Sequence, residues 1–176
     1  MSHFVISYND FTGDITGWVL PASPSYSTIL YSFTHLNITG DITNWIIPNK
    51  TFEILNSNVP LTGDLSGWVL PDGLEGFENS IVFSTGTHIT KMPRGNFRRI
   101  IVFNFSANNC DTAEIDDLLA DIDAYFVGGI VPLVNCVYTL NGTGMGIPSA
   151  AGLTSKQNII NKYTAASKTC TIAVNS

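Results

Sequence analysis

Three aspartates recur in one phrase. Asp14, Asp41 and Asp64 each follow Thr-Gly, and a tryptophan stands a little further on, at Trp18, Trp45 and Trp68. Stacked copies would set the carboxylates in a column, and carboxylate oxygens are what calcium takes. Calcium loops, however, gather several ligands within one short segment, and each copy here offers a single carboxylate. The residue type therefore points to turn building, with the Asp side chain accepting from backbone just ahead of it. The tryptophans would form a second column. Buried, they line a core or groove; exposed, they make an aromatic platform for sugar or protein.

Charge is clustered too. Lys91, Arg94, Arg98 and Arg99 supply four of the eight basic residues, and six of the fourteen acids lie between Asp111 and Asp123. Such runs commonly form solvated faces. The sharper reading of the basic stretch is a docking patch for an acidic partner. The acids are expected on the outer face of a helix, where they could meet the basic stretch across a contact between subunits.

Other chemistries lack their constellations. The run Gly142-Thr143-Gly144-Met145-Gly146 has the look of a phosphate loop, but it lacks the Gly-Lys-Ser/Thr ending, and no helix is expected directly after it. His3, His35 and His88 share no metal-ligand spacing, and neither a Ser/His/Asp set nor a carboxylate pair is legible. The expectation is a protein without enzymatic activity, cofactor or metal. Cys110, Cys136 and Cys170 show no CxxC spacing. Asn135-Cys136-Val137-Tyr138 parallels Thr169-Cys170-Thr171-Ile172. In adjacent strands the two sulfurs would be neighbours, either as buried thiols or as a bridge if the Cβ vectors converge.

The elements that place these residues follow from the repeat. The three phrases begin at Thr12, Thr39 and Thr62, with a worn fourth at Thr85-Gly86-Thr87, so the spacings are 27, 23 and 23 residues. Each copy of so clear a repeat must be one stackable unit. The extra length in the first interval falls in the Ser/Pro-rich stretch 22–27, where an insertion leaves the stack in register. Upstream of each phrase, alternation predicts a strand with one face inward: Phe4, Ile6 and Tyr8, then Tyr31 and Phe33, then Ile54 and Asn56, then Phe77 and Asn79. Phe11, Ile38 and Leu61 before each Thr, and Ile15, Ile42 and Leu65 after each Asp, complete the inward set. The repeats extend near 4–21, 31–48, 54–71 and 77–93, and a fifth strand is expected at 99–106.

A strand, then apolar-Thr-Gly-Asp-apolar, then Trp and Pro, resembles the leucine-rich repeats of bacterial and bacteriophage surface proteins. It is also similar to the plant-type Leu-Thr-Gly-x-Ile-Pro repeat. The resemblance covers residues 4–106 and implies an α/β, β-rich solenoid of stacked parallel strands. One departure stands out. The asparagine of the usual ladder is present only as Asn9, with Leu36, Val59 and Val82 in its other places, so turn hydrogen bonds must come from Thr, Asp or backbone.

Residues 107–176 read as a C-terminal α/β cap. Asp111-Thr112-Ala113-Glu114 opens a helix in the manner of a capping box. Ile115, Leu118, Leu119, Ile122 and Phe126 follow at helical spacing, and Gly128-Gly129 stops it. This helix is expected to cover the open end of the stack. A strand near Cys136–Leu140, a Gly/Pro loop, a helix from about Ser155 to Ala165 and a strand near Cys170–Val174 continue the same sheet.

Only 12% of the residues are charged and the net charge is −6, which argues against nucleic acid as a partner. No run approaches the length of a membrane span, and residues 1–8 lack the basic and apolar regions of a secretion signal. No cap precedes the first strand, and a bare edge invites pairing, so Phe4, Ile6 and Tyr8 mark an expected partner-facing edge. Resemblance to surface repeats without a secretion signal implies a bacteriophage virion structural protein (capsid-decorating, fibre or tail-associated). Its partners would be other virion subunits, and a host-surface protein or glycan. The alternative is a recognition or adhesion module at a bacterial cell surface, part of a longer secreted protein.

Overall fold

The computed structural model describes residues 2–7, 12–18, 28–34, 37–46, 51–70 and 79–176. Tyr8, Asn9, Phe11, His35, Leu36, Phe77, Pro21, Pro48, Pro71 and the 22–27 stretch lie outside the described residues.

The described residues form an α/β protein of parallel sheets and two helices. β1 (Ser2–Ser7) enters a long sheet and β2 (Thr12–Asp14) a short one; β3 (Thr28–Thr34) and β4 (Asn37–Asp41) repeat the step, as do β5 (Thr51–Ser57) and β6 (Leu61–Asp64). After β7 (Val69–Leu70), β8 (Asn79–Phe83) and β9 (His88–Lys91) make the same move, and β10 (Arg94–Gly95) and β11 (Ile100–Asn104) follow. Then come α1 (Thr112–Tyr125), β12 (Cys136–Leu140), α2 (Ala150–Ala165) and β13 (Cys170–Val174). The long sheet has the order β1-β3-β5-β8-β11-β12-β13, the short one β2-β4-β6-β9, and β10 pairs with β7. The long sheet passes from β11 to β12 without a break at residues 106–107.

Period-two patterning sets what is buried. Ile6 pairs with Phe33, Phe33 with Asn56 and Asn56 with Phe83, and from Phe33 to Phe83 the row faces inward. Phe33, Asn56, Phe83 and Phe105 are buried, and Phe83 stacks on Phe105 with centroids 5.3 Å apart. In the short sheet Ile38, Leu61 and Ile89 are buried in turn.

That row corrects the position of the fourth copy. Ile81 and Phe83, not Phe77 and Asn79, continue the places of Ile54 and Asn56. Ile89-Thr90, not Thr85-Gly86, follows Leu61-Thr62: the Thr90 hydroxyl donates to the Gly63 carbonyl at 3.2 Å as Thr62 does to Gly40 at 3.4 Å. Thr85-Gly86 lies in the turn between sheets, where the Thr85 carbonyl accepts from Asn58 at 2.6 Å. Gly86 stands at φ 91°, a conformation glycine adopts without a steric penalty. The Thr-Gly match there reflects turn chemistry, not the repeat.

The asparagine ladder is corrected in the same way. Val82 pairs with Leu55, and the ladder places are Thr87 and Asn108, which follow the positive-φ residues Gly86 and Ala107 as Val59 follows Asn58. Asn108 is fully buried: its Oδ1 accepts from the Ile89 amide and the Thr87 hydroxyl, each at 2.8 Å, and its Nδ2 donates to the carbonyls of Phe83 at 2.7 Å and Phe105 at 3.1 Å. One side chain thereby ties two coils together.

α1 begins as expected, with Asp111 accepting from the Glu114 amide at 2.8 Å. It buries Ile115, Leu118, Leu119 and Ile122. α1 closes the β9 edge of the short sheet, where Glu114 accepts from the Met92 amide at 2.7 Å. It does not end the long sheet, which runs two strands further. α2 starts at Ala150, a turn before the expected Ser155, capped by Ser149. Gly152 disguises that first turn in the sequence; a Cβ there would displace the Asp116 carboxylate of α1, which accepts from the Ser149 amide.

Candidate functional site

The repeated polar residues form a chain of hydrogen bonds between copies. Asp14 Oδ1 accepts from the Thr16 amide at 2.9 Å and hydroxyl at 2.6 Å. Asp41 Oδ1 accepts from the Thr43 amide at 2.8 Å, and Asp64 Oδ1 from the Ser66 amide at 2.9 Å and hydroxyl at 2.5 Å. The hydroxyls also reach the next copy. Thr16 Oγ1 accepts from the Asp41 amide and Thr43 Oγ1 from the Asp64 amide, both at 2.9 Å. The hydroxyls of Thr16, Thr43 and Ser66, then their amides, hold the three carboxyls below the usual carboxylate range. These aspartates are turn-builders. Among the described residues no three His, Cys, Asp or Glu side chains gather as a metal ion would need.

The chain of bonds stops at a proline. Asp14 pairs with Thr39, Asp41 with Thr62, and Asp64 with Lys91 across a bulge. Leu65 donates to the Lys91 carbonyl just as Ile15 does to Thr39 and Ile42 to Thr62. Pro93 therefore occupies the place of Asp41 and Asp64, and proline has no amide hydrogen to donate.

Trp45 and Trp68 are 4% and 3% exposed, which removes the condition on which an aromatic platform rested. Their indole Nε1 groups donate backwards, Trp45 to the Ile15 carbonyl at 3.4 Å and Trp68 to that of Thr43 at 3.3 Å. Trp18 is half-buried and packs on Phe33 with centroids 6.5 Å apart. A groove of about 470 Å³ runs beside the pair, lined by Thr43, Asn44, Trp45, Asp64, Ser66 and Trp68, with Gly67.

Arg94 of the basic stretch meets two of the acids within the chain. Arg94 Nη2 bonds Glu114 Oε1 at 2.9 Å, and its Nε bonds Asp121 Oδ2 at 2.7 Å. Lys91 faces Asp64 at 3.9 Å. Arg98 Nε donates to the Val131 carbonyl at 3.4 Å, and the half-buried Arg99 accepts from Asn79 through its backbone at 2.8 Å. Glu114 is 6% exposed, so it is not on the outer face of α1. Burial raises its carboxyl above the usual range, against the pull of the Met92 amide and the Arg94 guanidinium. Lys162 of α2 bonds Asp123 of α1 beside a groove of about 620 Å³ between the helices.

The glycine loop serves packing. The Gly146 amide donates to the Cys110 carbonyl at 2.7 Å, and a Cβ at Gly146 would run into the backbone of Asp111 and Thr112. The loop lies against the start of α1. Sequence reasoning misses Asn108, the orphaned Asn56 and the buried pair Tyr138–Tyr163, whose phenols stand 3.2 Å apart.

No family model, no curated protein and no solved structure matches the chain. No helix among the described residues is long and apolar enough to cross a membrane.

Proposed function

We propose that the chain is a non-enzymatic bacteriophage virion subunit, capsid-decorating, fibre or tail-associated, built as a short leucine-rich-repeat-like solenoid with an α/β C-terminal cap. One observation carries this reading. The Asp carboxylates, Thr hydroxyls and indole N–H groups that the sequence repeats are directed at neighbouring copies, so the repeat serves a stack. A stack works through its faces and edges. The two-strand unit returning in parallel, with Asn108 in a ladder place, supports the leucine-rich-repeat comparison. The partners are other virion subunits, met along the β1 edge that carries Phe4, Ile6 and, just beyond it, Tyr8, and a host-surface protein or glycan met by an outer face.

Light scattering combined with hydrogen exchange tests the edge. Self-association or co-assembly that slows exchange at Phe4 and Ile6 is the expected result. A stable monomer whose β1 amides are already protected counts against it. The groove beside Trp45 and Trp68, with Asn44 and Ser66 on its walls, favours a second reading, a bacterial cell-surface recognition module. Glycan-array binding lost on Asn44→Ala would move weight to that reading.

A further inference from the structure

Cys136 and Cys170 stand directly opposite one another on β12 and β13. Both are free thiols; Cys136 is buried and Cys170 half-buried. Neighbouring strands lie about 4.8 Å apart, within the roughly 4.4–6.8 Å of Cα separation that a disulfide accepts. In-register partners also carry their Cβ atoms to the same face of a sheet, so no change of register is needed to bring the sulfurs together. The Tyr138 and Tyr163 phenols lie beside the Cys136 thiol and wall it in. In the described sheet β13 has a strand neighbour on one side only, β12. Cys110 lies elsewhere, under α1, with its thiol donating to the Ile89 carbonyl at 3.4 Å.

The geometry points to a latent disulfide site: Cys136 and Cys170 join when the folded protein meets a small-molecule disulfide, and the bond ties the edge strand β13 to β12. The chemistry is thiol–disulfide exchange. The more exposed Cys170 gives up its proton, and its thiolate attacks one sulfur of the small disulfide. That S–S bond breaks, and the first small thiolate leaves and takes up a proton. The Cys136 thiolate then attacks the Cys170 sulfur of the mixed disulfide and displaces the second small thiol. Two protein thiols lose two electrons in total, and the small disulfide gains them as two thiols.

Burial sets the pace. It pushes the Cys170 thiol up to about 12 and the Cys136 thiol higher still, and only the thiolate attacks. Exchange is therefore slow at neutral pH and accelerates as the pH rises. The site stands apart from the virion reading, since it rests on strand register alone.

The test uses the full chain, incubated with oxidised glutathione at mildly alkaline pH, quenched in acid and examined by intact mass and peptide mapping. The expected result is the loss of two hydrogens, a Cys136–Cys170 cross-linked peptide and a rise in Tm that a reductant reverses. Cys170→Ser should abolish the bridge, and Cys110→Ala should leave it intact. A persistent glutathione adduct on Cys170, an unchanged mass, or a bridge to Cys110 would overturn the assignment.

Discussion

The hydroxyl of Thr16 joins two copies of the repeat, donating to Asp14 at 2.6 Å and accepting from the amide of Asp41, 25 residues away, at 2.9 Å. Thr43 accepts from the half-buried amide of Asp64 in the same way. Thr43→Val keeps the shape and deletes the acceptor, and an amide left without a partner costs about 1–3 kcal/mol. Urea unfolding should show that loss, and Thr43→Ser should recover most of it. Equal stability for Val and Ser at this position would show that the bond contributes little.

Acid should unravel the same chain of bonds. Asp14, Asp41 and Asp64 ionise below their ordinary value of 3.8 in the fold. The unfolded chain therefore binds protons at higher pH than the folded one. The stability these groups contribute is complete above the unfolded value and is lost as the pH falls through the folded values. The unfolding midpoint should drop most steeply below about pH 4, and Asp64→Asn should flatten that limb. An acid limb unchanged by Asp64→Asn would remove Asp64 from the explanation.

Asn56 is fully buried, between Phe33 and Phe83 in register, and neither its Oδ1 nor its Nδ2 has a hydrogen-bond partner. Burying an amide without partners costs about 1–3 kcal/mol. Asn56→Leu, close in volume, should raise stability by about that amount, read as a higher urea midpoint and Tm. A lower midpoint would mean that the amide contributes in the fold.

The half-buried Arg94 and the buried Glu114 form the ion pair that docks α1 on β10. Arg94→Met leaves a buried carboxylate uncompensated and should cost about 3–5 kcal/mol at neutral pH. Adding Glu114→Gln should restore part of it. The Glu114 carboxyl is already raised by burial. Its contribution is present below the unfolded value of 4.5 and lost as the pH rises through the folded value. The Arg94→Met deficit should therefore shrink as the pH is lowered towards 4. A deficit independent of pH would point to lost packing instead.

Local signals carry most of what the sequence makes legible. The Asp111 cap and the spacing of Ile115, Leu118, Leu119 and Ile122 place α1 correctly, because capping and periodicity are decided within a few residues. β12 and β13 are found with their bounds for the same reason. The start of α2 is hidden because Gly152 is explained only by Asp116 on another helix. The fourth copy is displaced because Thr85-Gly86 imitates the phrase, while the register sets the buried Ile89 opposite Gly63 as it sets Leu61 opposite Gly40. The charged residues are legible as types, but their partners are not. That Arg94 meets Glu114 and Asp121 follows from α1 lying along β10, a relation with no local signature. For Trp45 and Trp68 burial decides between the core and the platform readings.

Pro93 ends the series of hydroxyl-to-amide links. The second copy offers its Asp41 amide to the copy before it and its Thr43 hydroxyl to the copy after it. A unit duplicated between the second and third copies would arrive with both ends of its connections ready. One appended beyond Pro93 would find no amide at the joining place. A whole unit inserted within the series keeps these links, and one added beyond Pro93 does not. Replacing one imino acid would be the first requirement for extending it at the far end.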